Sequence, residues 1–134
     1  MAKSTKSDGR QQPGLDKAGK EDLEYIKENS EFFHKIDGVE SFDDADIFRI
    51  AVALTIKHGI KLGDPPSAIG PNVGGMQWSR NTLETEPPLT TLVEVFVDKQ
   101  DREEIWTYIE RAAAAGLKYM REMVKKDKSL SEIL

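Results

Sequence analysis

The longest apolar-rich stretch of this chain lies within residues 41–59, which read SFDDADIFRIAVALTIKHG. Ser41, followed by Asp44 three residues later, is typical of a helix start, because the hydroxyl can accept a free backbone N–H and the carboxylate favours the positive end of the helix dipole. Gly59 suits the left-handed conformation that ends many helices, and Ile60 is placed to pack back on the last turn. The stretch therefore predicts one helix.

Apolar residues cover most of the circumference of this predicted helix rather than one stripe. A surface helix needs only one apolar face, so a helix of this kind either lies at the centre of a core or shares its surface with a second subunit. We expect it to be the central element of a mostly helical fold.

A second strong helical pattern covers residues 101–126. The side chains of residues 112–116 are small, so another helix could approach closely there. The apolar and small residues that recur every three or four positions are Ile105, Ile109, Ala112, Gly116, Met120 and Met123.

Two shorter patterns predict further helices. Residues 21–33 place apolar residues at helical spacing among acids that favour a helix N-terminus. In residues 91–97, Thr91 and Glu94 form another capping pair ahead of an apolar run, which predicts a short helix. The β-branched residues of Val93–Val97 leave a strand open as the alternative.

Residues 61–88 contain five prolines and four glycines, a density that excludes a long regular helix. Connections of this length are usually functional or mobile. Short strands around residues 77–83 remain open. Residues 70–75 are glycine-rich, but no Gly-Lys-Ser/Thr follows them and no strong strand precedes them, so we expect a flexible turn rather than a nucleotide site.

The composition bounds the domain organisation. The chain has 134 residues and no cysteine, so we expect one domain without disulfides. Residues 1–19 have almost nothing apolar and predict a disordered basic tail that is dispensable for folding, ahead of a single compact domain of about four helices over residues 20–134. No apolar run is long enough for a membrane span or a signal peptide, and we expect a cytoplasmic protein.

Charge is unevenly distributed along the chain. The formal charge of −5 argues against a protein that wraps nucleic acid. Residues 21–46, the acidic block, hold ten acids against two lysines, whereas residues 118–128, the basic end, are rich in Lys and Arg. The two segments could meet within one subunit or across two, so a homodimer is one expectation.

No catalytic, cofactor or metal site is predicted. His34 and His58 are the only histidines, and their spacing fits no metal motif. The three aspartates of residues 43–46 precede a helix, where capping explains them better than a catalytic pair. We therefore expect that the protein is not an enzyme. The hypothesis of an enzyme with its active site in the loop of residues 61–88 ranks last of three functional hypotheses.

Two groups of side chains are candidates for an interaction surface. Trp78 and Arg80 combine an aromatic ring with a guanidinium, a common composition of binding hot spots, although Trp78 folded back as a lid over the core is the alternative. The last helix supplies a basic group, which the helix dipole would also favour as a solvated face. Its members are Lys118, Arg121, Lys125 and Lys126.

Short segments of the chain carry a resemblance to a known group of proteins. They are SFDD at 41–44, AVAL at 51–54, KHG at 57–59 and, after Ile105 and Tyr108, AGL at 115–117. This succession resembles the small accessory proteins encoded beside Dnd-type DNA phosphorothioation and phage-defence genes. The resemblance implies a cytoplasmic prokaryotic protein of a DNA-modification or defence system that acts through partners, and it assigns no catalytic residue.

The leading hypothesis is thus a non-enzymatic accessory protein that self-associates or docks on a larger protein. Its rival is a small DNA-binding regulator that uses the basic tail and the last helix. Clustered Lys and Arg can bind phosphates even where the total charge is negative.

Overall fold

The structure is a computed structural model and describes residues 12–30, 43–64, 66, 68–84, 88–101 and 103–126. These residues form a mostly helical domain, as predicted. The helices are α1 Lys17–Asn29, α2 Asp44–His58, α3 Arg80–Leu83, α4 Leu89–Phe96 and α5 Ile105–Lys125. Two-residue strands, β1 Gly14–Leu15 and β2 Met76–Gln77, pair antiparallel with Gly14 opposite Gln77.

Helix α2 is the central element that its apolar circumference predicts, and Phe48, Ile47 and Leu54 are almost completely buried in the core. Its cap is Asp43 rather than Ser41, which lies outside the described residues. Asp43 and Asp46 form a reciprocal capping box, in which the Asp46 N–H donates to Asp43 Oδ1 at 2.8 Å. The observed capping pair, Asp43 with Asp46, thus lies two positions later in the chain than the predicted pair of Ser41 with Asp44.

Helix α2 ends where the sequence predicts that it ends. Gly59 adopts the left-handed conformation with φ 60°, and the Ile60 N–H donates to the Thr55 carbonyl at 3.0 Å. Ile60 is partly buried against the core. This pairing is the Schellman arrangement, in which the residue after the glycine closes the last turn.

Helices α2 and α5 approach closely where the small residues of α5 allow it. A Cβ atom at Gly116 would overlap the backbone of Ala51, since it would lie 2.7 Å from the Ala51 carbonyl carbon. One turn earlier, the Thr55 hydroxyl donates to the Ala112 carbonyl at 2.7 Å inside the core. The small stretch on α5 therefore serves contact within the chain.

The predicted disordered tail is wrong for residues 12–19. Leu15 is fully buried, β1 pairs with β2, and Asp16 caps α1 by accepting the Gly19 N–H. Helix α1 consequently begins at Lys17, four residues earlier than predicted, and it ends at Asn29 because Ser30 has an extended backbone. The composition of this segment is that of a tail, but its partners lie on distant parts of the chain. Residues 1–11 lie outside the described residues.

Helix α4 confirms the short helix and overturns the strand alternative for residues 93–97. Its N-terminus is not capped by Thr91; instead Glu84, from the preceding turn, accepts the Thr90 N–H at 2.9 Å and the Thr90 hydroxyl at 2.6 Å. Helix α5 begins at Ile105 rather than at residue 101, since Lys99–Asp101 form a separate 3₁₀ turn.

The loop of residues 61–88 contains short regular pieces where it is described. The 3₁₀ turn Pro71–Val73 leads into β2, and α3 follows. Gly70 and Gly74 have positive φ values of 113° and 83°, which a side chain would disfavour. The glycine run therefore forms the defined turn that brings β2 against β1. Across the described ranges, no helix combines the length and apolar character needed to cross a membrane.

Candidate functional site

Helix α4 presents apolar side chains to solvent. It buries Leu89 and Val93 in the core, yet Val95 is 66% exposed and Phe96 is 67% exposed. Among the described residues, only Val73, at 45%, is another exposed large apolar side chain. Eight residues of helix cannot bury apolar positions on every side against one core, so the side that carries Val95 and Phe96 remains uncovered.

A concavity of about 460 Å³ lies beside Phe96, between α2 and α4. Ala53, Ile56 and Lys57 line it from α2, and Leu92 and Phe96 line it from α4. Ala53 is exposed and Ile56 is half-buried, so the apolar circumference of α2 exceeds what the core covers. The concavity, with Val95, forms what we term the apolar face.

The apolar face has charged residues of both signs beside it. Lys57 lines the concavity, and Glu94, the residue before Val95, is exposed on α4. This combination of an apolar centre and polar neighbours is typical of protein interaction surfaces.

Trp78 and Arg80, which the sequence marks as a hot-spot candidate, both contact core aromatic rings. Trp78 is half-buried, and its ring centroid lies 5.1 Å from that of Phe48. The Arg80 guanidinium lies 5.2 Å from the centroid of the Trp106 ring, a cation–π distance. Both side chains thus have packing partners within the chain. For Trp78 this is the alternative in which its ring folds back over the core.

The four basic candidates, of which Lys126 is the cap residue that follows α5, do not form one continuous basic surface. Arg121 binds Asp22 at 2.8 Å and lies 4.6 Å from the Tyr25 ring, and Lys125 lies 5.8 Å from the same ring. Because Asp22 and Tyr25 belong to α1, the acidic block and the basic end meet within one chain. The contacts also show that α1 and α5 run in the same direction.

Lys118 and Lys126 are exposed at a groove of about 670 Å³ between α1, α5 and the segment that holds Ile60, Lys61, Gly63, Asp64 and Pro66. The groove is lined by four basic and four acidic side chains, so it presents no single charge to a ligand. Several of these groups already have partners in the chain. Arg111, for example, binds Glu103 at 2.7 Å and donates from Nε to the Gly63 carbonyl at 3.1 Å.

The carboxyl of Glu103, which forms an ion pair with Arg111, has a lowered pKa. Burial by itself would raise the pKa of Glu103, but the Arg111 hydrogen bond, a backbone hydrogen bond and the guanidinium charge together hold that pKa below its ordinary value. A shift in this direction is expected of a structural ion pair. It does not prepare the carboxyl for acid–base chemistry at neutral pH.

Within the described ranges, no three His, Cys, Asp or Glu side chains are placed to hold a metal ion. His58 is exposed at the end of α2, with its ring 6.1 Å from that of Tyr119, and His34 lies outside the described residues. Asp43 and Asp46 cap α2, which is the structural role their position predicts.

The sequence reasoning missed the apolar face. Its signal is the segment LVEVF at residues 92–96, where apolar residues at four of five positions exceed one helical stripe. Compared with protein-family models, with curated proteins and with solved structures, the chain matches none.

Proposed function

We propose that this protein is a non-enzymatic accessory protein that binds another protein, or a second copy of itself, through the apolar face. The exposure of Val95 and Phe96 carries this proposal. Fully burying a phenylalanine or valine side chain is worth roughly 1.5–3 kcal/mol, which a free monomer leaves unused at these positions. Contiguous exposed apolar residues with a polar rim mark binding surfaces.

The charge distribution supports a protein partner over nucleic acid. The chain carries a net charge of −5, and Arg121 and Lys125 are engaged with α1. The apolar face, by contrast, offers burial that a phosphate backbone cannot use, because nucleic-acid binding depends mainly on phosphate contacts. The DNA-binding regulator therefore ranks below the interaction protein.

The setting we propose is the cytoplasm of a prokaryote, in a DNA-modification or phage-defence system. The sequence resemblance of residues 41–59 and 115–117 supports this setting. Deleting the gene from its host should then change phage plating efficiency or the phosphorothioate content of DNA, and a deletion strain in which neither changes would contradict it.

Photo-crosslinking in the native host tests the proposed surface. A photoreactive amino acid at position 96 should give discrete protein adducts of defined mass. The matched control places the same amino acid at position 73, where Val73 is an exposed apolar residue of the Pro71–Val73 turn and does not line the concavity. Adducts at 96 that are absent at 73 are expected; equal adducts at both positions, or none at 96, would overturn the proposal.

A further inference from the structure

We infer that residues 12–16, the strap, hold residues 70–78, the lid, closed over Phe48, so that displacement of the strap opens the lid and uncovers the Trp78 ring. The inference involves none of the residues that form the apolar face, so it stands independently of the proposed function. It is carried by the hydrogen-bond partners that the backbone of the lid finds.

The lid is bound to the strap through its backbone. The Trp78 N–H donates to the Pro13 carbonyl at 3.0 Å, and the Gly70 N–H donates to the Leu15 carbonyl at 3.3 Å. Between these two bonds, β2 pairs antiparallel with β1. Both ends of the lid are therefore bonded to the strap.

Glycines on both sides allow this contact. A Cβ atom at Gly14 would overlap the Met76 carbonyl oxygen, and a Cβ atom at Gly75 would overlap the Leu15 carbonyl oxygen. The strap and the lid thus meet backbone to backbone, and the contact has no room for a side chain at either glycine.

The composition of the lid makes its order depend on these bonds. Residues 70–75 read GPNVGG, and glycine loses more conformational freedom on ordering than any other residue. Because residues 71–74 are exposed, apolar burial does not offset this cost there. Bonds within the turn, such as that of the Gly75 N–H to the Gly70 carbonyl at 2.8 Å, fix its shape and not its position on the domain.

The strap has anchors on the helices as well as on the lid. The Leu15 side chain is fully buried, the Gly14 N–H donates to the Glu110 carboxylate at 3.0 Å, and Asp16 caps α1. The lid therefore depends on the strap more than the strap depends on the lid. A partner that captures the N-terminal segment, or a cut ahead of α1, would uncover Trp78, which the sequence marks as a hot-spot candidate.

Amide hydrogen exchange of the full chain, followed by NMR, tests this dependence. Gly14→Ala forces the strap away from β2 and should lower the protection of the Gly70 and Trp78 amides at least about tenfold, because added volume at a packed contact destabilises it. Gly75→Ala acts on the same contact from the lid and should have the same effect. The matched control is Gly63→Ala, which adds a methyl group where no atom lies within 4 Å and should leave both amides as protected as before.

The two glycine variants also report whether one contact is involved. Because both substitutions break the same contact, the double variant should lose no more protection than the more disruptive single variant. Protection of the Gly70 and Trp78 amides that is unchanged in both single variants would show that the lid closes without the strap, and it would overturn the inference.

Leu15→Asp tests the opening itself. A carboxylate is strongly disfavoured at a fully buried apolar position, so the strap should leave the core. In a Trp106→Phe background, Trp78 is the sole tryptophan, and acrylamide should quench its fluorescence more strongly than in the same background with Leu15 intact, while far-UV circular dichroism keeps its helical signal. Unchanged quenching overturns the inference. Loss of the helical signal would mean that the strap holds the whole domain rather than the lid, and this result would overturn the inference as well.

Discussion

Single side chains join parts of this molecule that lie far apart in the sequence. Glu110 accepts the Gly14 N–H at 3.0 Å across 96 positions, and Arg121 binds Asp22 at 2.8 Å across 99 positions. The Glu110 carboxyl is buried, so its hydrogen bond to the Gly14 N–H helps to hold β1 against the core. Both contacts attach the N-terminal part of the domain to α5.

The contact of Gly116 with Ala51 and the helix propensity of glycine predict opposite effects of Gly116→Ala on the free energy of unfolding. Helix propensity alone predicts that Gly116→Ala stabilises α5 by about 1 kcal/mol. The added methyl group would overlap the Ala51 backbone, and forcing extra volume into a packed interior typically costs about 1–3 kcal/mol. We expect a net loss in the free energy of unfolding, measured by urea denaturation.

Gly63→Ala is the control for this substitution. No atom lies within 4 Å of the position a Cβ would take at Gly63, and its φ is not in the left-handed range, so the free energy of unfolding should change little. If Gly116→Ala proves as stable as the original chain, α2 and α5 do not approach as closely as the structure places them.

The N-terminal element β1 is short but belongs to the core. Its Leu15 is fully buried, and Gly14 approaches β2 so closely that a Cβ there would overlap the Met76 carbonyl. Beyond the strand, the Trp78 N–H donates to the Pro13 carbonyl at 3.0 Å. The sequence predicts that residues 1–19 are dispensable for folding. From these contacts we expect instead that a chain starting at Lys20 is less stable than the full chain.

We predict that chains starting at Gln12 and at Lys20 differ in melting temperature. The first keeps every N-terminal contact that the structure describes, whereas the second loses Leu15, the Asp16 cap and the hydrogen bond of Gly14 to Glu110. Burial of one leucine is worth roughly 1.5–3 kcal/mol, and a loss of this size lowers the melting temperature of a domain of this length by roughly 10 °C.

Leu15→Ala in the full chain separates the buried side chain from the rest of the segment. It should reproduce a large part of the loss, because Leu-to-Ala substitutions in cores cost about 2–5 kcal/mol. Differential scanning calorimetry gives all three melting temperatures. Equal values for the Gln12 and Lys20 chains would mean that β1 contributes nothing to stability.

Helix α4 combines two roles in eight residues. Leu89 and Val93 anchor it to the core, Glu84 caps its first turn, and Val95 and Phe96 remain exposed. Its first turn and its buried side are thus held by contacts within the domain, and these contacts position the exposed side. A preorganised surface of this kind loses little conformational entropy on binding.

The molecule as a whole uses its opposite charges internally. The acidic block and the basic end meet where Arg121 and Lys125 lie against Asp22 and Tyr25. The remaining basic candidates, Lys118 and Lys126, face a groove that also contains acids. Opposite charges therefore contribute to the packing of α1 on α5, and the net charge of the whole chain remains negative.

We predict little binding of duplex DNA at physiological salt. Fluorescence anisotropy with a labelled duplex should show weak, non-specific binding at low salt that vanishes as salt rises, since the chain carries a net charge of −5. Lys118→Glu with Lys126→Glu should abolish that residual binding without a change in melting temperature, because both side chains are exposed. Micromolar or tighter binding at physiological salt that these substitutions weaken would instead favour the DNA-binding regulator.

Local sequence information determined the helical character of this protein and several of its details. The apolar circumference of α2, its Gly59 stop and the small residues of α5 all predict what the structure contains, because helix type and helix ends depend on neighbours within one turn. The Thr91 and Glu94 pattern also predicted the helix α4, although the group that caps this helix is Glu84 and not Thr91.

Only the tertiary structure decided three features of the fold. They are the contacts that residues 12–19 make, the group that caps α4, and the identity of the apolar side chains that stay exposed. The partners concerned are remote: Gly14 binds Glu110 and β1 pairs with β2, more than sixty positions away. Residues 12–19 have the composition of a tail, but they are ordered because β2 pairs with β1 and the buried Glu110 carboxylate binds Gly14. In the same way, Phe96 is left in solvent because the surface of the core is already occupied by other residues. Composition and periodicity within one helix carry neither kind of information, since both outcomes depend on how the helices divide a limited buried volume among themselves.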